Sequence, residues 1–130
     1  MISSTNQNSL AYKSFIYSTS LMNLDAAGSS GSVRQEKILL DASYMFECSE
    51  ITCDCTNKNV LCQIDYNAED KLTNTNVLIG NIANVNGAGK QEIEPFMVNP
   101  NAGIIITVQN LQNSVNQIQI SFKGKRYFKK

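Results

Sequence analysis

The chain has 130 residues, one domain's length, and a 42% hydrophobic composition that supports a packed core and excludes disorder. It contains no histidine, so Ser-His-Asp, Cys-His and His-metal chemistries are excluded. Eleven basic residues balance eleven acidic ones, but Lys123, Lys125, Arg126, Lys129 and Lys130 crowd the last eight positions, leaving residues 1–122 at six basic against eleven acidic, a net of −5.

The N-terminal stretch MISSTNQNSLAYKS has neither the basic nor the apolar region of a signal peptide. No apolar run approaches the ~20 residues that span a bilayer. The expectation is a chain made in a reducing cytosol, without membrane association. Residues 1–9 read as a polar arm preceding a single β-sandwich domain over 10–130. Residues 10–22 (LAYKSFIYSTSLM) are rich in Tyr, Phe, Ile and Thr and predict a first strand. Residues 25–32 (DAAGSSGS) form a Gly/Ser loop.

Residues 33–49 fit two templates. A helix would gather Ile38, Leu39, Ala42, Met45 and Phe46 on one face, behind a capping box from Ser32 to Gln35. A strand would place Ile38, Leu40, Ala42, Tyr44, Phe46 and Cys48 at every second position. Six consecutive matches favour the strand, kinked near Asp41. Val60, Cys62, Ile64 and Tyr66 alternate with polar neighbours in the next strand, and 76–82 (NVLIGNI) reads as a short buried one. Residues 84–91 read as a flexible loop.

The chain closes with 92–98, 103–110, 116–123 and a short 125–128, a run of strands with turns between them. Ile104, Ile106 and Val108 make one apolar stripe; Ile118, Ile120 and Phe122 make another, alternating with Gln119, Ser121 and Lys123. Pro95, Pro100, Asn101 and Gly103 punctuate the run, because Pro cannot donate to a ladder and Asn and Gly supply turn dihedrals. Seven or eight short strands at roughly ten-residue spacing predict an all-β, antiparallel, jelly-roll-like β-sandwich.

Four cysteines, Cys48, Cys53, Cys55 and Cys62, lie within fifteen residues, spaced C-x4-C-x-C-x6-C. Clustered thiolates suggest zinc, but structural zinc sites favour C-x2-4-C knuckles, whose turn aims both sulfurs at one point. Cys48 and Cys62 instead continue apolar stripes, as buried free thiols do. The leading expectation is no metal and no cofactor, with a zinc site on these four residues as an alternative. Asp65, Glu69 and Asp70 read as a solvated acidic turn, Glu92 and Glu94 as a carboxylate pair on one strand face, and Gly87–Lys90 as a loop lacking the full phosphate-loop pattern. In the basic tail, Lys123, Lys125, Arg126, Tyr127 and Phe128 are candidates for partner contact.

The segment IEPFMVNPNAGIIITVQNLQNSVNQIQISFKGKRYF resembles the closing strands of single jelly-roll virion proteins of tailed bacteriophages. The residues that carry this are Pro95, Phe96, Val98, Pro100 and Asn101, then Ile106, Val108 and Asn110, and finally Ile118, Ile120, Phe122, Gly124 and Arg126. They cover about a quarter of the chain. The resemblance implies a non-enzymatic capsid, head-fibre or decoration protein, located in the virion after synthesis in the host cytoplasm. Its partners would be further copies of itself, with a trimer favoured, and other capsid or virion proteins; nucleic acid is not expected. Two alternatives stand beside it, a carbohydrate- or ligand-binding β-sandwich and a small zinc-binding protein.

Overall fold

A computed structural model describes residues 12–88 and 92–128. The expected arm at 1–9 lies outside them, as do Lys129 and Lys130. The strands are β1 (Tyr12–Ser18), β2 (Met22–Leu24), β3 (Val33–Leu39), β4 (Tyr44–Cys55), β5 (Val60–Tyr66), β6 (Asp70–Lys71), β7 (Val77–Leu78), β8 (Asn84–Val85), β9 (Phe96–Val98), β10 (Gly103–Asn110) and β11 (Asn116–Phe128). The expected seven or eight strands are thus exceeded, because five of the eleven are pieces of only two or three residues. The all-β sandwich itself is as expected.

One sheet has the order β1-β11-β4-β8, with β2 also on β11 and β9 also on β4; the other has β3-β10-β5-β6, with β7 also on β5. All ladders among the described residues are antiparallel except β4–β8. The chain passes repeatedly from sheet to sheet, and its last strand inserts between β1 and β4. That is jelly-roll wiring.

The two apolar stripes of the C-terminal run belong to different sheets. β10 pairs with β3 and β5, while β11 pairs with β1 and β4. Consecutive strands therefore face one another across the core and do not pair. Ile104, Ile106 and Val108 on one side and Ile118, Ile120 and Phe122 on the other are all fully buried.

Residues 33–49 are strand and not helix, as the period of two predicts, except at the turn of Ala42 and Ser43, where Ala42 leaves the expected buried stripe. The kink near Asp41 is a complete crossing, since β3 ends in one sheet and β4 begins in the other. Within β4 the apolar phase slips: Phe46 and Cys48 point inward, then Ile51 and Cys53. Ser49 is the extra residue, because Gly124 pairs with Cys48 and Lys123 with Glu50. This β-bulge lets the long strand keep its core face. β11 continues straight through, so the expected separate strands at 116–123 and 125–128 are one.

Three expectations in the middle of the chain are corrected. Residues 76–82 form only the short β7 and a 3-10 turn at Ile79–Asn81. Asn84 and Val85, expected in a loop, form β8 against Thr52 and Cys53. Asn86 supplies the reason: its Oδ1 accepts from Cys55 N at 2.9 Å and its Nδ2 donates to Cys55 O at 3.0 Å, imitating a strand partner. Residues 92–95 precede β9 and are not strand, so Glu92 and Glu94 share no strand face.

The core runs the length of the sandwich. At one end Tyr17 meets Phe46 edge-on at 4.9 Å, and across the sheets Tyr66 meets Phe96 at 4.6 Å. Among the described residues, β1 and β3 are outer strands. Both carry charge at core-side positions: Lys13 opposite Arg126, and Arg34 and Glu36 opposite Val108 and Ile106. Glu36 is held by Ser20, whose N and Oγ donate to its carboxylate at 2.8 and 2.7 Å.

Candidate functional site

The basic tail is not a tail in the fold. Lys123 to Phe128 form the last half of β11, central in its sheet, between β1 and β4. Strand alternation divides them between two faces. Gly124, Arg126 and Phe128 continue the core-side positions, while Lys123, Lys125 and Tyr127 point outward.

Arg126 closes the open end of the sandwich. Its guanidinium lies 3.7 Å from the centroid of Phe15 and 4.0 Å from that of Tyr44, and its Nη1 donates to Asp41 Oδ2 at 3.1 Å. A guanidinium suits this place because it stacks on rings and tolerates a dry contact better than an ammonium. Phe128 packs edge-on against Tyr44 at 5.6 Å yet stays 63% exposed. Tyr12, Lys13, Tyr44, Arg126 and Phe128 line an open cleft of about 260 Å³.

The outward residues form ordered rows across β1, β11 and β4. Ser14, Lys125 and Glu47 make one row, continued by Met97 on β9; Ile16, Lys123 and Glu50 make the next. The face thus carries a basic column on β11 beside an acidic column on β4. These neighbours do not neutralise one another. Among the described residues the ion pairs are Lys71–Asp65 at 3.5 Å and Arg126–Asp41 at 3.1 Å. Lys125 lies over the Tyr12 ring at 4.5 Å, and Glu47 accepts from the Tyr127 hydroxyl at 3.0 Å. Desolvation and then that carboxylate raise the Tyr127 phenol's pKa. At the Ser49 bulge the face dips into a depression of about 530 Å³, beside Ile16 and Lys123.

The four cysteines do not gather at one point: Cys53 and Cys55 neighbour one another on β4, while Cys48 lies beyond the bulge. Cys48, Cys53 and Cys62 are buried and Cys55 is half-buried, all as free thiols. The bulge separates Cys48 from Cys53 and Cys55 on β4, and Cys62 lies in the opposite sheet. Among the described residues, no three Cys, Asp or Glu side chains converge where they would hold a metal ion. Burial pushes the Cys48 and Cys62 thiols up to about 12 and raises Cys53 and Cys55 as well. Protonated thiols are poor nucleophiles. The zinc alternative has no convergent set of ligands among the described residues to rest on.

The acidic turn is structural. Asn67 and Ala68, at φ 53° and 69°, bend the chain between β5 and β6, Asp65 pairs with Lys71, and Asp70 accepts from Asn67 Nδ2 at 3.3 Å. In the Gly87–Lys90 stretch, Gly87 takes φ 72°, a turn conformation; Gly89 and Lys90 lie outside the described residues.

Sequence reasoning picked out Lys123 to Phe128 but missed their partners Tyr12, Phe15, Asp41, Tyr44 and Glu47. These come from strands remote in sequence, and only the pairing register brings them together. Among the described residues no helix is long and apolar enough to cross a membrane. Comparison of the chain with protein-family models, with curated proteins and with solved structures finds no match.

Proposed function

We propose that this chain is a non-enzymatic structural protein of a virus particle, of the type that coats or decorates the head of a tailed bacteriophage. It works by associating with copies of itself and docking on a protein lattice. The observation that carries this reading is the jelly-roll wiring, in which β9, β10 and β11 are the strands whose sequence resembles the closing strands of phage virion proteins. Two further features support it. The chain lacks histidine and its thiols are held protonated, which leaves little for catalysis. The outer face of β1, β11 and β4 carries unpaired charge and exposed apolar groups, as a docking surface does.

Quantitative mass spectrometry of particles purified from the source of this chain tests the reading. The expected result is a fixed copy number per particle that survives density-gradient purification. Absence from purified particles overturns it.

A second reading has one specific observation in its favour. The cleft between Tyr12, Lys13, Tyr44, Arg126 and Phe128 combines rings with two cations, a surface suited to an acidic sugar. A glycan array should then give hits restricted to acidic glycans and lost in Phe128→Ala. An array without hits removes this reading and leaves the first intact.

A further inference from the structure

We infer that the outer face of β1–β11–β4–β9 docks a second copy of this chain about a twofold axis running along the strands, between β11 and β4. The inference deepens the self-association reading above and rests on it. It names the surface and its symmetry.

A twofold axis parallel to the strands exchanges left and right and keeps height along the strand. The β11 column of one copy then lies over the β4 column of the other. Lys123 comes over the partner's Glu50 and Lys125 over the partner's Glu47, and both contacts occur twice by symmetry. The same operation puts Met97, 37% exposed, against the column of Tyr12, Ser14 and Ile16, where Ile16 is 54% exposed. Charged columns meet opposite charge and apolar flanks meet apolar flanks. A threefold axis produces no such match, because it does not make the face complementary to itself.

Other surfaces fit less well. The outer strands β1 and β3 carry core-side charges, which guard against edge pairing. On the outer face of the other sheet, the Asp65 carboxylate already has Lys71 at 3.5 Å. Among the described residues, only the β11–β4 face holds adjacent columns of opposite sign whose members form no ion pair within the subunit.

The size of the face sets the strength. Four strands about 4.8 Å apart and about six rows at 3.4 Å give roughly 400 Å² per partner. That is about half of the ~800 Å² in a standard stable interface. The contact is a weak, concentration-dependent dimer, reinforced where many copies are held on a lattice.

The test uses analytical ultracentrifugation of the full chain from micromolar to millimolar concentration. Lys123→Glu and Glu50→Lys are the variants, since neither side chain makes a hydrogen bond or ion pair among the described residues, and circular dichroism checks their folding. Wild type should form a reversible dimer that weakens at least tenfold from low salt to 0.5 M salt. Each variant alone, which faces two like-charge pairs, should dimerise at least tenfold more weakly than wild type. Their equimolar mixture should restore a heterodimer, since positions 123 and 50 then face opposite charge in both symmetry-related contacts. A wild type that is monomeric throughout, a trimer, or folded variants that associate like wild type would overturn the inference. A chain present in particles but monomeric in solution would sink this interface and leave the virion reading standing.

Discussion

Asn116 donates from Nδ2 to Asn110 Oδ1 at 3.2 Å, and both side chains are inaccessible to solvent. Asn110 ends β10 and Asn116 begins β11, so this amide pair spans the crossing between the sheets. Neither amide is left short of partners. Asn110 Nδ2 also donates to Asp25 O at 3.0 Å and Ser114 O at 2.9 Å, and its Oδ1 accepts from Gln112 N at 3.0 Å. Asn116 exchanges bonds with the backbone of Asn57, at 2.8 and 3.0 Å. Three loops are thereby fixed at one end of the sandwich by two side chains.

Removing one member should cost much more than an average surface change. Asn116→Leu takes both side-chain partners from the Asn57 backbone and one of the two donors from the buried Asn110 Oδ1, a loss of about 2–4 kcal/mol. The exposed Asn113→Ala, in the same crossing, should change stability by less than about 0.5 kcal/mol. Urea denaturation of both variants measures the contrast, and equal effects would contradict this account of the pair.

Gly124 is required by contact. A Cβ at this position would collide with the backbone carbonyl of Glu47 and crowd Cys48 Cα, neither of which yields as a flexible side chain does. Gly124→Ala should therefore destabilise by about 2–4 kcal/mol, through displacement of β4 at its bulge. Gly80→Ala, where an added Cβ meets nothing within 4 Å, should be nearly neutral. Thermal unfolding of the two variants decides.

For Arg126, the stacking should matter more than the ion pair. Asp41 is largely exposed, so Asp41→Asn should cost less than about 1 kcal/mol and the loss should shrink in salt. Arg126→Lys keeps the charge but gives up the planar contacts with Phe15 and Tyr44, and should cost about 1–2 kcal/mol with little salt dependence. Chemical denaturation at low and high salt separates the two. A larger loss for Asp41→Asn would reverse the ranking.

The cysteines predict an alkaline limit to stability. Burial raises the folded-state values of Cys48 and Cys62 from 9.0 to about 12. Between those pH values the unfolded chain loses these protons and the folded chain keeps them. Stability is thus fully present below pH 9 and falls as pH rises toward 12, by about 1.4 kcal/mol per pH unit for each thiol. Cys48→Ala/Cys62→Ala should flatten this part of the profile while lowering stability near neutrality. A native-state thiol titration at about pH 8 should label Cys55 first, and rapid modification of all four would oppose the burial account.

What could be read from sequence was the part governed by period. Stripes such as Ile118, Ile120 and Phe122, or Val60, Cys62 and Ile64, identify strands and their buried faces because alternation is local. The sheet each strand joins is not local. β10 and β11 read as neighbours, and only the Asn110–Asn116 crossing shows why they separate. The bulge left no periodic mark on β11, because the extra residue, Ser49, lies on the partner strand. β8 was missed because two residues held by the Asn86 side chain leave no periodic trace. At the candidate site, the charges Lys123, Lys125 and Arg126 were visible, whereas their division between core and surface required the register.

The charges at core-side positions of the outer strands have a consequence for growth. To lengthen a sheet past β1 or β3, an incoming strand would have to cover Lys13, or Arg34 and Glu36, and strip water from them, while the opposite edges offer only the short β8 and β9, or β6 and β7. Fibre-like extension through the two long edges is therefore disfavoured, and contact through faces stays open. Copies crowded together at high density can meet and part without running away into insoluble polymer.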